Sequence, residues 1–230
     1  MKKSDNSYWI SIADLMTGLM VVFLFIAINY VIQVFQYRYV SDEIYNALVT
    51  ELDEEVKDGD VQITPDGTVR FSTEGDRTLF ELGEYTMSQE MKETLDWFIP
   101  RYFDIVSNPE YLKYIKEIRI EGHTDTIPPK SGADSYSFNL WLSSMRAIEV
   151  LSYVRNSDAY SNLNSSQKER FDYVLTATGM SYSKALNSDG EYVYESDDKR
   201  ISPAISRRVE FRAITSSDKV IEEIFSISSE

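Results

Sequence analysis

Residues 118–154 read IRIEGHTDTIPPKSGADSYSFNLWLSSMRAIEVLSYV, and their pattern decides the fold of the larger part of the chain. Ile118 and Ile120 alternate with Arg119 and Glu121, the period-two signature of a strand with one buried face, here predicted over Ile115–Glu121. The strand gives way to Gly122-His123-Thr124-Asp125. Residues 125–137 contain Pro128-Pro129 and Gly132, which break any regular element and predict a loop. From Phe138 to Arg155, Leu142, Met145, Ile148, Val150 and Leu151 return at helical spacing.

Working outward, Tyr173–Ala177 and Arg208–Ala213 read as further strands, separated by a long polar loop at Ser181–Ser206. A loop of that length in a small domain points to a functional or mobile segment. Upstream, Val61–Ile63 and Val69–Phe71 flank Pro65-Asp66-Gly67, a turn tripeptide that predicts a hairpin. Thr86–Ser107 is helical by period, with Pro100 expected to bend or divide it. Val220–Phe225 suits a short terminal helix.

The N-terminus is different in kind. Leu15–Ile28 carries no charge, and only Thr17 and Gly18 interrupt its apolar run. Extended to Trp9 and Val34, the stretch exceeds the roughly twenty residues that cross a bilayer as a helix. Tyr8 and Trp9 at one end, and Tyr30 and Tyr37 at the other, suit the two interfaces. Lys2 and Lys3 resemble the start of a signal peptide, yet no small-x-small cleavage site follows, so one retained span is expected. The same two lysines place the N-terminus in the cytoplasm. Beyond the span, Gln36–Val56 keeps Tyr37, Val40, Ile44, Leu48 and Leu52 at helical spacing, predicting an acidic helical stalk that ends at Lys57-Asp58-Gly59.

Composition excludes several functions. The formal charge of −15 leaves no basic stripe for nucleic acid and disfavours docking on anionic lipid. Without cysteine there is no disulfide, thiol nucleophile, Cys-based zinc site or acylated lipoprotein anchor. His123 is the single histidine, which argues for a bracing role and against a metal site. Glu121 and Asp125 are the nearest thing to a hydrolytic carboxylate pair, but no further acid supports them, so an enzyme is not expected. The tyrosines at 111, 114, 192 and 194 read as surface packing.

Asp14 is the only charged residue between Asp5 and Arg38. A carboxylate within a bilayer is costly and normally faces a bundle interior or a hydrated path. Desolvation favours the neutral form of any carboxylate, which suits a group that takes up and releases an ion. Thr17 and Gly18 follow on the same helical face: the hydroxyl suits an ion or water, and the glycine permits close helix approach. One helix cannot enclose a path, so partner subunits are implied. The alternative is an incidental Asp14 at the edge of the span, in a passive tether.

Two sets of residues resemble known families. Gly122-His123-Thr124-Asp125, followed by Asn139, Leu142, Ser143, Arg146, Ala147 and Val150, resembles the peptidoglycan-binding signature of the OmpA-like family; Gly179 and Ser206-Arg207-Arg208-Val209-Glu210-Phe211 match its later elements. The chain departs from the pattern at Ser206, where asparagine is usual, and the loop after Asp125 is long, as in the flagellar-stator branch. The segment Trp9-Ile10-Ser11-Ile12-Ala13-Asp14-Leu15-Met16-Thr17 resembles the stator B-subunit motif, and Asp14 to Ile26 is similar to the membrane subunit of the Zorya anti-phage defence systems.

The resemblance implies a single N-terminal transmembrane helix plus an α+β (OmpA-like, βαβαβ-type) periplasmic domain. Its expected divisions are a cytoplasmic tail at 1–9, the span at 10–34, the stalk at 35–58, the wall-binding domain at 59–216 and a tail at 217–230. It further implies a single-pass inner-membrane protein and an ion-translocating role for Asp14 and Thr17. No cofactor is implied beyond a translocated ion, H⁺ by default and Na⁺ otherwise. The diaminopimelate end of a peptidoglycan stem peptide would have its ammonium on Asp125 and its carboxylate on Arg146, with Thr124, Asn139 and Arg208 assisting. The implied assembly is a homodimer inside a pentameric ring of a polytopic ZorA- or MotA-like subunit, driven by ion flow. A flagellar stator subunit is the alternative within the same superfamily.

Overall fold

The computed structural model describes residues 4–53, 56, 61–73, 77–81, 83–129, 132 and 134–215, with the side chains of 4–7 and 33–38 excepted. The chain divides into two units, Met1–Tyr39 and Val40–Glu230. The expected terminal helix at Val220–Phe225 and the tail at 217–230 lie outside the described residues.

The first helix, α1, runs from Ser4 to Glu51. Within it, Tyr8–Ile32 is a predominantly apolar stretch of 25 residues, long enough to cross a membrane, and none is buried. At helical rise this is about 37 Å, more than a hydrocarbon core requires. Polar side chains in this stretch satisfy themselves locally: Thr17 Oγ1 donates to the Ala13 carbonyl at 2.8 Å, and Asn29 Nδ2 to that of Phe25 at 2.9 Å. Such a surface needs lipid or apolar partners, because in water it would be a very large exposed patch.

The second unit begins inside α1. Val40, Ile44, Leu48 and Leu52, spaced by four, are buried in the domain's core. Ser41 Oγ lies 3.0 Å from Thr215 Oγ1, and Glu51 Oε1 lies 3.7 Å from Arg101 Nε. The helical stalk expected over 35–58 thus carries, from Val40 to Leu52, a four-residue repeat that marks a stripe the domain covers.

Five strands make one sheet: β1 (Gln62–Ile63), β2 (Val69–Ser72), β3 (Ile115–Gly122), β4 (Leu175–Gly179) and β5 (Arg208–Thr215), in the order β1-β2-β5-β3-β4. Only β3 and β4 are parallel; every other pairing is antiparallel. The hairpin turns as expected, with Gly67 at φ 76°, a conformation that L side chains rarely adopt.

The helices are α2 (Gln89–Val106), α3 (Pro109–Leu112), α4 (Ser135–Asn156), α5 (Asp158–Ser161), α6 (Ser165–Val174) and α7 (Pro203–Ser206). Ser88 caps α2 by accepting from Met91 N at 3.0 Å. The helix then passes Pro100 unbroken. Its apolar face meets the sheet where Phe98 packs against Phe71 and Phe211, and Tyr102 against Phe211, with ring centroids 4.9–5.7 Å apart. Sequence periodicity overlooked α6, which is a polar helix with only Phe171 and Val174 buried. Tyr173 therefore lies in the last turn of a helix, and the strand begins two residues later than expected.

Helix α4 crosses over β3 and β4 with Asn139, Leu142, Ser143, Arg146, Ala147, Val150 and Val154 facing inward. Gly122 and Gly179 pair across β3 and β4 beneath it. A Cβ on Gly122 would collide with the Ser143 carbonyl, and one on Gly179 with the backbone nitrogen of Ser144. Two paired glycines thus let the helix seat directly on the strand ends.

Candidate functional site

The site forms where β3 ends beneath α4. Main-chain bonds fix the Gly122–Asp125 loop: His123 N donates to the Arg208 carbonyl and Thr124 N to that of Ser181, each at 3.0 Å. Ser181 is the pin of this corner. It is fully buried with φ 51°, its N donates to Ser143 Oγ at 2.9 Å, and its Oγ donates to the Tyr136 carbonyl at 3.1 Å. The 181–206 segment also closes on itself, with Ser206 Oγ accepting from Leu186 N at 2.9 Å. Serine fits here because its hydroxyl is short enough to reach the Leu186 backbone from a buried position.

Asp125 is 5% exposed; its Oδ1 accepts from Ile127 N at 3.0 Å. Its Oδ2 has no hydrogen bond and lies 3.7 Å from Arg207 Nη1. Arg146, from α4, donates Nε to the Glu84 carbonyl at 2.9 Å and stacks over the Phe80 ring with Cζ 4.8 Å from its centroid. Burial pulls its guanidinium down to about 10; nearby Asp125 opposes that shift and Arg207 adds to it. A buried cation so placed favours an incoming anion. With Nε engaged, the Nη1–Nη2 edge is the one left for a bidentate partner.

The other expected residues fall nearby with different duties. Asn139 is buried and donates Nδ2 to the carbonyls of Ile127 and Ser135 at 3.1 and 3.0 Å, so it braces the loop. Thr124 Oγ1 is buried without a hydrogen-bond partner. Arg208 donates Nε to Glu210 Oε1 at 2.6 Å, while its Nη2 has no partner. A cavity of about 610 Å³ is lined by Thr78, Phe80, His123, Arg146, Arg207 and Arg208, among others. Asp14 and Thr17 belong to the first unit, on α1.

Behind this cavity lies a charge lattice on the sheet face opposite the core. In register, Glu121 stands opposite Glu210 and Arg119 opposite Arg212, like charge facing like. Diagonals compensate: Arg119 and Arg212 reach Glu121 Oε1 at 3.3 and 3.5 Å, and Lys184 lies 3.6 Å from its Oε2. Arg70 and Arg208 both hold Glu210 Oε1, at 2.8 and 2.6 Å. His123 Nε2 sits between the two acids, 3.3 Å from Glu121 Oε2 and 3.6 Å from Glu210 Oε2. Burial alone would raise Glu121, but His123, Lys184 and Arg212 outweigh it and hold it at about 2. Glu210 is held far below the usual carboxylate range by His123, Arg208 and Arg70 against the same burial. Glu121, His123 and Glu210 bring ligand atoms within 4.8 Å of one another. Their carboxylates already face five cationic side chains, so the group reads as an ion-pair lattice.

Three participants were not anticipated from sequence: the Glu84 carbonyl, the Phe80 ring and Ser181. Arg207, read in sequence only as part of the matched motif, lies 3.7 Å from Asp125 Oδ2. Main-chain acceptors carry no residue signature, but the adjacent Arg207-Arg208 pair was itself a signal that two guanidiniums converge.

Fold and site together define a class: a helix of membrane-crossing length joined to an α+β domain of the OmpA-like type, with a buried aspartate set against two arginines at the end of β3. No family model matches the chain. The chain belongs to the ZorB family, being 32% identical over 239 residues to the Zorya protein ZorB of Escherichia coli strain Crooks, across 97% of this chain and 94% of that protein. A Zorya protein ZorB of a second Escherichia coli strain is 25% identical over 195 residues, covering 81% of this chain and 77% of that one. Similar solved structures include the cell wall anchor of the T6SS from Pseudomonas aeruginosa (20% identity, TM-score 0.45, 74% of this chain and 97% of that one). Another is the periplasmic domain of Helicobacter pylori MotB (17% identity, TM-score 0.40, 74% and 99%).

Proposed function

We propose that this chain is the wall-anchored membrane subunit of a Zorya-type anti-phage complex, with the second unit gripping peptidoglycan and α1 forming part of an ion path. The observation that carries the reading is the opposition of Asp125 to Arg146 and Arg207 at the end of β3, with both arginines lining the cavity. An ammonium on Asp125 Oδ2 and a carboxylate on the free edge of Arg146 match the zwitterionic end of a diaminopimelate side chain. Local complementarity then allows a chain of charge −15 to hold a wall polymer.

In this reading α1 spans the inner membrane once, the N-terminus is cytoplasmic and the domain is periplasmic. Asp14 is the ion carrier, with H⁺ as the ion and Thr17 beside it. Two copies stand inside a ring of five polytopic ZorA-like subunits, and the chain itself catalyses no covalent reaction. Support comes from membership of the ZorB family and from one charged residue set in an otherwise apolar span.

The test uses the full-length protein in detergent with purified sacculi. Wild type co-sediments, whereas Asp125→Asn and Arg146→Ala remain in the supernatant, each still melting cooperatively as a folded protein. Undiminished sedimentation of both variants would refute the wall-binding assignment. A passive tether makes the same prediction for the sacculi but differs at Asp14, as argued in the Discussion.

A further inference from the structure

Asp125 is the shared counter-charge of two guanidiniums: Arg207 lies 3.7 Å from its Oδ2, and Arg146 feels both Asp125 and Arg207. Of the other cations that line the cavity, Arg208 is held by Glu210 at 2.6 Å. The Asp125 corner therefore carries two cations and one anion before anything binds.

A zwitterionic amino-acid end does not correct this. Its ammonium goes to Asp125, and its carboxylate goes to Arg146. The corner then holds three positive and two negative charges, with Arg207 deprived of its only acidic neighbour among the described contacts. Arg207 Nε is buried without a hydrogen-bond partner, while the side chain as a whole is 36% exposed, so the group lies at the mouth of the site with donors unused. Leaving the buried Nε and its half-exposed guanidinium without an acidic partner has a cost. The cavity, at about 610 Å³, also exceeds what one amino-acid terminus fills.

We infer that Arg207 forms a second carboxylate subsite, so that the site selects a stem peptide presenting two free carboxylates for each ammonium. This deepens the peptidoglycan reading and rests on it. Two carboxylates of a stem peptide lie within one residue of the diaminopimelate ammonium end: the α-carboxylate of the preceding γ-linked glutamate, and the main-chain carboxylate of diaminopimelate itself. Both present the same chemistry to Arg207. Cells that amidate one of these groups would make wall polymer that the site holds weakly.

The experiment titrates three soluble peptides into the full-length protein by calorimetry. They are L-Ala-γ-D-Glu-meso-diaminopimelate, its glutamate α-amide, and the form amidated at the main-chain carboxylate of diaminopimelate. With wild type, one of the amides binds about tenfold more weakly than the free acid, the loss expected for one charge-assisted contact. Which amide suffers identifies the carboxylate. With Arg207→Gln the free acid weakens to match that amide, and the discrimination falls below about twofold. Arg207→Lys retains part of it, which shows that a folded protein is being read. Equal binding of all three peptides by wild type overturns the inference, as does an Arg207→Gln variant that weakens all three by the same factor. If wild type binds none of them, the peptidoglycan reading falls, and this one with it.

Discussion

Arg146 donates Nε to the main-chain carbonyl of Glu84, 62 residues earlier, at 2.9 Å. That bond fixes the plane of the guanidinium, and Phe80 stacks against it. The Nη1–Nη2 edge is left over for a carboxylate, and Arg146 lines the cavity. Arg146→Lys keeps the charge and loses the Glu84 bond, the stacking and the fork. Sacculus binding should weaken by about tenfold or more, and the melting temperature should fall with a cost of about 1–2 kcal/mol. A binding isotherm and a thermal melt on one preparation check both. Wild-type affinity in the lysine variant would show that Arg146 acts only as a point charge.

Gly122 and Gly179 make a separate, purely steric prediction. Gly179→Ala places a methyl group against the backbone nitrogen of Ser144, and Gly122→Ala places one against the carbonyl of Ser143. Neither obstacle is a flexible side-chain end, so α4 must lift from the strands. Each variant should lose about 2–4 kcal/mol, beyond typical overpacking because backbone has to move. Gly190→Ala is the control: its φ of 79° costs strain, but nothing lies within 4 Å of the added carbon, so about 1 kcal/mol is expected. Denaturant melts of the three variants test the ranking.

Much of this corner was legible in sequence. Glycine, histidine, threonine and aspartate after an alternating strand, with asparagine and arginine on the next helix, predicted which elements meet. Burial and loop closure then assigned duties that residue type does not carry. Asn139 spends its amide on Ile127 and Ser135, and Arg208 spends Nε on Glu210. Glu84 acts through a carbonyl that any residue would supply. The helical repeat of Val40, Ile44, Leu48 and Leu52 was visible, but a repeat tells that a face is covered and not by what. Helix α6 escaped because nearly all of its residues are polar and its packing rests on two side chains.

The charge lattice predicts the response to acid. Glu121 is held at about 2 and Glu210 lower still, whereas the unfolded chain titrates near the ordinary glutamate value of about 4.3. The folded state therefore binds fewer protons than the unfolded state in this range. Its contribution is complete above about pH 5 and disappears as pH falls toward the folded values. For Glu121 alone the linkage is on the order of 3 kcal/mol. Melting temperature should be flat between about pH 6 and 8 and should drop steeply below about pH 5. Glu210→Gln should lower stability at neutral pH and flatten that acid limb. An acid limb as steep as wild type in this variant would place the sensitivity elsewhere.

Asp14→Asn separates a motor from a tether. The substitution keeps side-chain shape on α1 and removes the group that carries the ion in the proposed function. Protection against phage, measured by plating efficiency with the complete gene set, should fall to the level of cells lacking the system. Sedimentation with sacculi should stay within about twofold of wild type, since Asp14 belongs to the other unit. Full protection by Asp14→Asn, alongside loss of protection by Asp125→Asn, would leave a passive anchor as the correct description.

The position of the domain boundary gives the last prediction. A fragment beginning at residue 57 would match a domain joined to a free stalk, but it discards Val40, Ile44, Leu48 and Leu52, all buried in the core. Each such side chain contributes about 1.5–3 kcal/mol on burial, and ordering one extra helix segment offsets part of the total. Removing all four should cost several kcal/mol, comparable with the whole stability of many domains. A fragment beginning at residue 40 should therefore melt cooperatively, while one beginning at residue 57 should melt far lower or bind a hydrophobic dye as a loosened state. Leu48→Ala in the full-length chain supplies the independent measurement, because Leu48 is wholly buried and the substitution should cost about 2–5 kcal/mol. If the shorter fragment is as stable as the longer one, and Leu48→Ala is silent, then this stretch of α1 is a stalk after all and the core closes without it.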